Sequence, residues 1–331
     1  MNQESDSILN IVNGDAVASL LGQTNLPGQM IAWRDVLHEG PVPGGIRREE
    51  LRRVRSNFLA AQGWATYYGT LTDLTERDQL LENYRQGAYV LWFEADLYDQ
   101  LQLCQVFDTL RQLSVAPQQI SLICIGEFPG IQRFIGLSQL LPQNLVQLYA
   151  RRRTCNEATI AAASAAWRTF CGGDPTQLLR LGEDIDKDML PFLSEALTRL
   201  AQEYPSTANG LSLSQQRILS VLANKPVAAD RLFKLISDQE KRPYLSDTTL
   251  YAYVDGLVNA RYPLVKAEDS PAPVAKPKLF ITATGSDVLG NSQDHIALNG
   301  IDKWIGGVHL QSGSPGWRYN ESLAALMSSI L

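Results

Sequence analysis

Apolar positions in the first half of the chain come in short unbroken runs, set between stretches with helical spacing. Ile8 to Val12 is interrupted only by Asn10, turns at Asn13-Gly14-Asp15 and passes into Ala16 to Leu21. A β-branched run, a glycine turn and a helical opening predict a strand–turn–helix step. Gln29 to Trp33 reads as a second strand. Tyr89-Val-Leu-Trp-Phe93 and Ile120-Ser-Leu-Ile-Cys-Ile-Gly126 read as two more, apolar enough to be buried on both faces of a parallel sheet. Helices are predicted over Ile46 to Gln62, with Leu51, Val54, Phe58 and Leu59 on one face. Two more are predicted, over Thr72 to Gln86, capped by Thr72 or Thr75, and over Leu101 to Leu113. Four strands alternating with helices predict an α/β fold with a parallel sheet and right-handed crossovers.

The pattern from residue 131 to 204 is helical. Asn156 to Phe170 puts Ile160, Ala163, Trp167 and Phe170 on one side, and Leu190 to Tyr204 carries Phe192, Leu193, Leu197 and Leu200. The polar cluster Pro205-Ser-Thr-Ala-Asn-Gly210 reads as a boundary. Helices over Ser214 to Ala223, Ala228 to Arg242 and from Ser246 or Asp247 to Asn259 follow. Strands Pro263 to Lys266 and Lys278 to Thr282, joined by a Pro-rich loop over 270–277, precede a short helix ending at Leu289. That is the order of a winged helix. The expected layout is an α/β domain over 1–150, a helical segment over 151–209, a winged-helix-like domain over 210–291 and a tail over 292–331. Glycines beside Trp304 in the tail suggest a close backbone approach, and the tail is expected to pack back on the first domain.

Composition narrows this picture. The 331 residues are 45% apolar and 19% charged, ordinary for a globular protein. No run approaches the ~18 apolar residues of a membrane span. The acidic start, Met-Asn-Gln-Glu-Ser-Asp, lacks the apolar core of a secretory signal, which makes the cytoplasm the expected location. The net charge of −6 falls within residues 1–150, where 16 Asp and Glu face 10 Lys and Arg; the remainder carries 19 of each. An acidic first domain repels phosphate backbones and is a poor nucleic-acid platform. Cys104, Cys124, Cys155 and Cys171 form no C-x-x-C pair and read as buried structural thiols.

Chemistry concentrates in three loops that leave strand C-termini, the edge where α/β sheets bind ligands. The first offers Asn13, Gly14 and Asp15. The second offers Trp33, Arg34, Asp35, His38 and Glu39, and the third Glu94, Asp96, Asp99 and Gln100. If the strands are neighbours the side chains converge. Asp15, Asp35, His38, Glu39, Glu94, Asp96 and Asp99 are the candidate catalytic residues. Asn13, Gly14, Trp33, Arg34 and Gln100 are the candidate ligand-binding ones. Crowded carboxylates either take a cation or hold protons. A hard divalent ion such as Mg²⁺ or Mn²⁺ suits oxygen ligands. His38 suits acid–base work near neutral pH, and Arg34 could fork a phosphate. Plainer readings stand beside these: Asp15 as a helix cap, Arg34–Asp35 as an exposed ion pair, His38 as an inert loop residue, and Glu94, Asp96 and Asp99 as acids opening a helix.

Other signatures are absent. There is no G-x-G-x-x-G after a strand, no Walker loop and no zinc spacing, and Ala16 lacks the hydroxyl of a serine nucleophile turn. Arg47, Arg48, Arg52, Arg53 and Arg55 crowd one helix, offset in part by Glu49 and Glu50; they form either a solvated face or a patch facing an anion or another domain. In the winged-helix segment the third helix holds two Asp and no Lys or Arg, which favours a protein partner over DNA.

Four segments carry a family resemblance: Ile11-Val-Asn-Gly-Asp15, Trp33-Arg-Asp-Val-Leu-His-Glu-Gly-Pro41, Leu91-Trp-Phe-Glu-Ala-Asp-Leu-Tyr-Asp-Gln100 and Asn299-Gly-Ile-Asp-Lys-Trp-Ile-Gly-Gly-Val-His-Leu310. Over nearly its whole length the chain resembles a bacterial family catalogued as a domain of unknown function, number eighteen-thirty-five. The resemblance implies a soluble bacterial protein of this layout and no particular reaction. The residues themselves lead to a carboxylate-rich site for metal-assisted binding or hydrolysis of a phosphoester or nucleotide. The alternative is a non-enzymatic regulator that contacts protein or DNA through its winged helix.

Overall fold

A computed structural model describes residues 7–185, 187–268 and 277–331. The acidic start and nearly all of the Pro-rich loop over 270–277 lie outside the described residues. The protein is a mixed α/β molecule, and its chain divides into two units, Met1–Leu197 and Thr198–Leu331. The division falls within a helix, ahead of the polar cluster at 205–210.

The first unit opens with β1 (Ile8–Val12), α1 (Asp15–Leu21), β2 (Gln29–Ala32), the two-residue β3 (Gly40–Pro41), α2 (Arg48–Ala61) and α3 (Tyr67–Asn83). It continues with β4 (Ala88–Glu94), α4 (Leu97–Gln112), β5 (Ile120–Ile125), α5 (Pro142–Ala150) and β6 (Arg153–Thr154). It ends with α6 (Glu157–Cys171), α7 (Thr176–Asp184) and the start of α8 (Leu193–Ala201). The central sheet has the order β2-β1-β4-β5-β6 and is parallel except for β6. Leu9, Ile11 and Val12 of β1 and Tyr89 to Phe93 of β4 are buried, as unbroken apolar strands at the centre of such a sheet must be. Asn10 escapes the cost of burial because its Oδ1 accepts from Trp92 Nε1 at 3.0 Å and its Nδ2 donates to Pro27 O at 3.0 Å.

This topology positions the loops. The chain adds β2 on one side of β1 and then returns to add β4 on the other, so strand order reverses between β1 and β4. Register pairs Val12 with both Ala32 and Trp92, which brings Asn13, Trp33 and the end of β4 to one rim. Open α/β sheets leave a ligand crevice where the order reverses.

Three elements differ from expectation. α3 begins at Tyr67, capped by Thr66, whose side chain accepts from Gly69 N, and not at Thr72. α4 begins at Leu97, four residues early, because Asp96 caps it. The short edge strand β6 has only Arg153 and Thr154, too few residues to show a period.

The second unit, after the end of α8, contains α9 (Leu213–Asn224), β7 (Val227–Ala228), α10 (Ala229–Gln239), α11 (Asp247–Val258), β8 (Val265–Ala267), β9 (Lys278–Ile281), α12 (Ala283–Leu289) and α13 (His295–Asn299). It closes with β10 (Asp302–Gly306), β11 (Val308–Gln311), β12 (Pro315–Asn320) and β13 (Ala325–Ile330). β7, β9 and β8 form an antiparallel sheet in that order, packed with α9, α10 and α11 around Ile218, Leu232, Leu250, Leu257 and Val265. The tail forms two antiparallel hairpins, β10–β11 and β12–β13, that its glycines hid from the periodicity. Within this unit Tyr319 N donates to Pro205 O at 2.8 Å, and the Arg318 guanidinium pairs with Asp294.

Candidate functional site

The expected polar set divides into three groups. One converges at the β1–β4 crevice. β4 ends in Glu94, and the immediate start of α4 folds Asp96 and Asp99 back over that strand end. One oxygen from each of Glu94, Asp96 and Asp99 lies within 4.8 Å of the others, which is the spacing of ligands around a single cation. The three are 7%, 9% and 1% exposed. Asn13, from the loop after β1, donates Nδ2 to both oxygens of Asp99 at 3.0 Å. Glu94 N donates to Asp99 Oδ2 at 2.5 Å, and Asp99 N to Asp96 Oδ1 at 3.1 Å. Gln100 Nε2 donates to Glu94 O at 2.6 Å and so holds the strand end against α4.

The electrostatics follow from crowding in a dry place. Burial, then the Asp96 carboxylate, push Glu94 up to about 8, against the pull of the Leu137 N–H and the Asn13 amide. Burial, then Asp96 and Glu94, hold Asp99 well above the usual carboxylate range. The cluster therefore binds at least one proton near neutral pH, and a divalent cation would compete with that proton for the same oxygens.

The second group is Asp15 and Arg34, which pair in solvent. Arg34 Nε donates to Asp15 Oδ2 at 2.9 Å, with the Arg34 and Asp15 side chains 53% and 69% exposed. The hydrogen bond to Arg34 lowers the Asp15 carboxyl. Such a pair is worth under ~1 kcal/mol and stands apart from the carboxylate triad. Gly14 caps α1 beside it with extended backbone, and a side chain there would meet open space.

The third group is buried behind the rim. The sequence reading that paired Asp35 with Arg34 is corrected, because Asp35 belongs to Arg55. Arg55 Nε and Nη2 reach Asp35 Oδ1 at 3.0 and 2.7 Å, and both side chains are 1% exposed. The remaining Arg55 donors go to the carbonyls of Val36, Glu39 and Pro41, which folds the whole loop around one guanidinium. His38 and Glu39 are buried in that loop. Trp33 is fully buried; its Nε1 donates to Gln105 Oε1 at 2.8 Å, and the Arg77 guanidinium lies 3.8 Å over its ring. Neither these residues nor Asp15 belong to the three-carboxylate set.

Tyr98 links the groups and was missed. Its ring stands edge-on to His38 at 6.0 Å. Burial, then the Asp99 charge, with smaller pushes from Asp35 and Asp96, raise its hydroxyl above the usual phenol range. Gly136 and Leu137 were missed as well. Leu137 N donates to Glu94 Oε1 at 2.6 Å, and a Cβ on Gly136 would sit 2.5 Å from Glu94 Oε2. A lone glycine within the apolar run Phe134-Ile-Gly-Leu137 is a readable sign of close approach.

All four cysteines are free, and burial raises each thiol, Cys124 and Cys155 to about 12. They are therefore poor nucleophiles. No helix among the described residues is long and apolar enough to cross a membrane. Comparison of the chain with models of protein families and with curated proteins yields no match.

Proposed function

We propose that the chain binds a hard divalent cation, Mg²⁺ or Mn²⁺, through Glu94, Asp96 and Asp99, and uses it to hold or hydrolyse a phosphoester or nucleotide. The observation that carries this is the meeting of three buried carboxylates, one oxygen each within 4.8 Å, where strand order reverses. Oxygen donors in this number suit a small hard ion that keeps other positions for water and phosphate. Asn13 orients Asp99, Leu137 N orients Glu94, and the first turn of α4 fixes Asp96 and Asp99 in register. The cation would supply the Lewis acid. Free, buried thiols agree with a reducing, cytoplasmic setting.

Calorimetric titration with Mn²⁺ and Mg²⁺ tests the reading. The native protein should bind, Glu94→Gln and Asp96→Asn should each lose binding, and Asp15→Asn should keep it. Hydrolysis of p-nitrophenyl phosphate with Mn²⁺, lost in Asp96→Asn, would separate acting on the ester from holding it. A native protein that takes up neither ion sinks the proposal.

A second reading concerns Thr198–Leu331. We propose that α9, α10, α11 and the β7-β9-β8 sheet form a winged-helix module that contacts protein. The exposed positions of α11 include Asp247, Thr248 and Asp255, which supply negative charge where a DNA reader needs positive charge. A salt-titrated DNA assay should show no binding; a steep salt slope would reverse this choice.

A further inference from the structure

The arginines of α2 split by helical geometry. Arg47 and Arg53 pair with Glu50 and Glu49 on the solvated side. Arg48, Arg52 and Arg55, spaced i, i+4 and i+7, face inward onto a cleft between α2, α3 and α4. The cleft is small and partly open to solvent, with about 40 Å³ open to the centre of a water-sized molecule, and Arg77 of α3 and Trp167 of α6 complete its walls.

Three guanidinium nitrogens here lack an acceptor among the described residues: Arg77 Nη1, Arg52 Nε and Arg48 Nη1, all inaccessible to solvent. The Arg77 side chain is 9% exposed. Its other donors go to Asp78 Oδ1, from Nε at 3.2 Å and Nη2 at 3.1 Å, and its plane rests 3.8 Å from the Trp33 ring centre. Arg52 Nη1 reaches the other oxygen of the same Asp78 at 2.7 Å. Two guanidinium groups thus share one carboxylate. Arg55 is consumed by Asp35, and Arg48 Nη2 pairs with Glu82 at 3.1 Å. Asp108, on the same wall, accepts from Gln112 at 2.7 Å.

A buried guanidinium with an open donor is poorly solvated, and Arg77 Nη1, on a group held flat against an indole, offers that donor to an oxyanion. We infer that this cleft is an anion site, separate from the carboxylate crevice, that takes the phosphoryl group of a small phosphate monoester on Arg77 and Arg52. Trp167 offers the apolar wall for the rest of the ligand. The inference does not rest on the cation site.

Calorimetric titration at low ionic strength with phenyl phosphate and with inorganic phosphate tests it. The native protein should bind both, phenyl phosphate more tightly. Arg77→Met and Arg52→Gln should each weaken binding at least ~10-fold, while Asp96→Asn should leave it unchanged. Should Arg77→Met fail to fold, Arg52→Gln and the side-chain Nε–Hε resonances of Arg52 and Arg77 in the native protein carry the test, since phosphate should move both. Absence of heat and of resonance shifts up to ~10 mM ligand, or native affinity in both variants, would overturn the inference.

Discussion

Glu94 is held on one side by a single backbone N–H, that of Leu137, and a Cβ at Gly136 would lie 2.5 Å from its Oε2. Any side chain at 136 must push the carboxylate away, so Gly136→Ala should abolish cation uptake while leaving far-ultraviolet circular dichroism intact. Uptake at native strength in that variant would show that Glu94 is not a ligand. The proton on Glu94 gives a sharper test. Burial and the Asp96 charge push its carboxyl up to about 8, so a cation must displace that proton below this pH. Affinity for Mn²⁺ should rise at least roughly tenfold per pH unit below about 8, more steeply where Asp99 also gives up a proton, with proton release visible as buffer-dependent heat. The residues of this site were legible because Asn13, Glu94, Asp96, Asp99 and Gln100 sit where apolar runs stop. Side-chain reach was not legible. Arg34 runs out to Asp15 and Asp35 turns in to Arg55, although the two are adjacent in the chain.

Among the elements, α2 shows most clearly how charge can be structural. Its most buried residues are Arg55, Ser56 and Leu59, while Leu51, Val54 and Phe58 of the expected apolar face are only partly covered. Asp35→Ala would strand a fully buried guanidinium and should cost about 3–5 kcal/mol in urea unfolding. Asp35→Leu combined with Arg55→Met should recover much of that loss, because no charge is then left alone. Glu49→Gln, on the solvated side, should shift the midpoint negligibly. The strands β1, β2, β4 and β5 could be read in advance because burial on both faces demands unbroken apolar runs. The start of α4 could not, since a capping Asp96 and an acidic first turn look like loop until the backbone N–H of Asp99 is seen to need that cap. The same holds for the hairpins of the tail, where the pairing of Trp304 with His309 across strands, not any period, sets the register.

At the scale of the whole molecule the two units respond to pH in opposite senses. In the second unit burial alone would raise Glu203, but Arg199, Lys303 and the Ser214 hydroxyl hold it down to about 2. A depressed carboxyl stabilises above its ordinary value of 4.5, and that stability drains away as pH falls toward 2. In the first unit Glu94 is raised, so the folded state holds a proton that the unfolded chain has lost. Its contribution is complete below pH 4.5 and drains away as pH rises to about 8, at up to ~1.4 kcal/mol per pH unit. Calorimetry across this range should therefore find the unfolding temperature falling on both flanks, the acid flank governed by Glu203 and the alkaline flank by the carboxylate triad. Mg²⁺ should lift only the alkaline flank, because an ion bound to Glu94, Asp96 and Asp99 replaces the proton whose loss destabilises them. Glu94→Gln should make that flank shallower without any ion, since an amide has no proton to lose and only the raised Asp99 is left to titrate, while leaving the acid flank where it was. An alkaline flank that persists unchanged in both Glu94→Gln and Asp99→Asn would place its origin outside the crevice and remove the electrostatic support for a cation there.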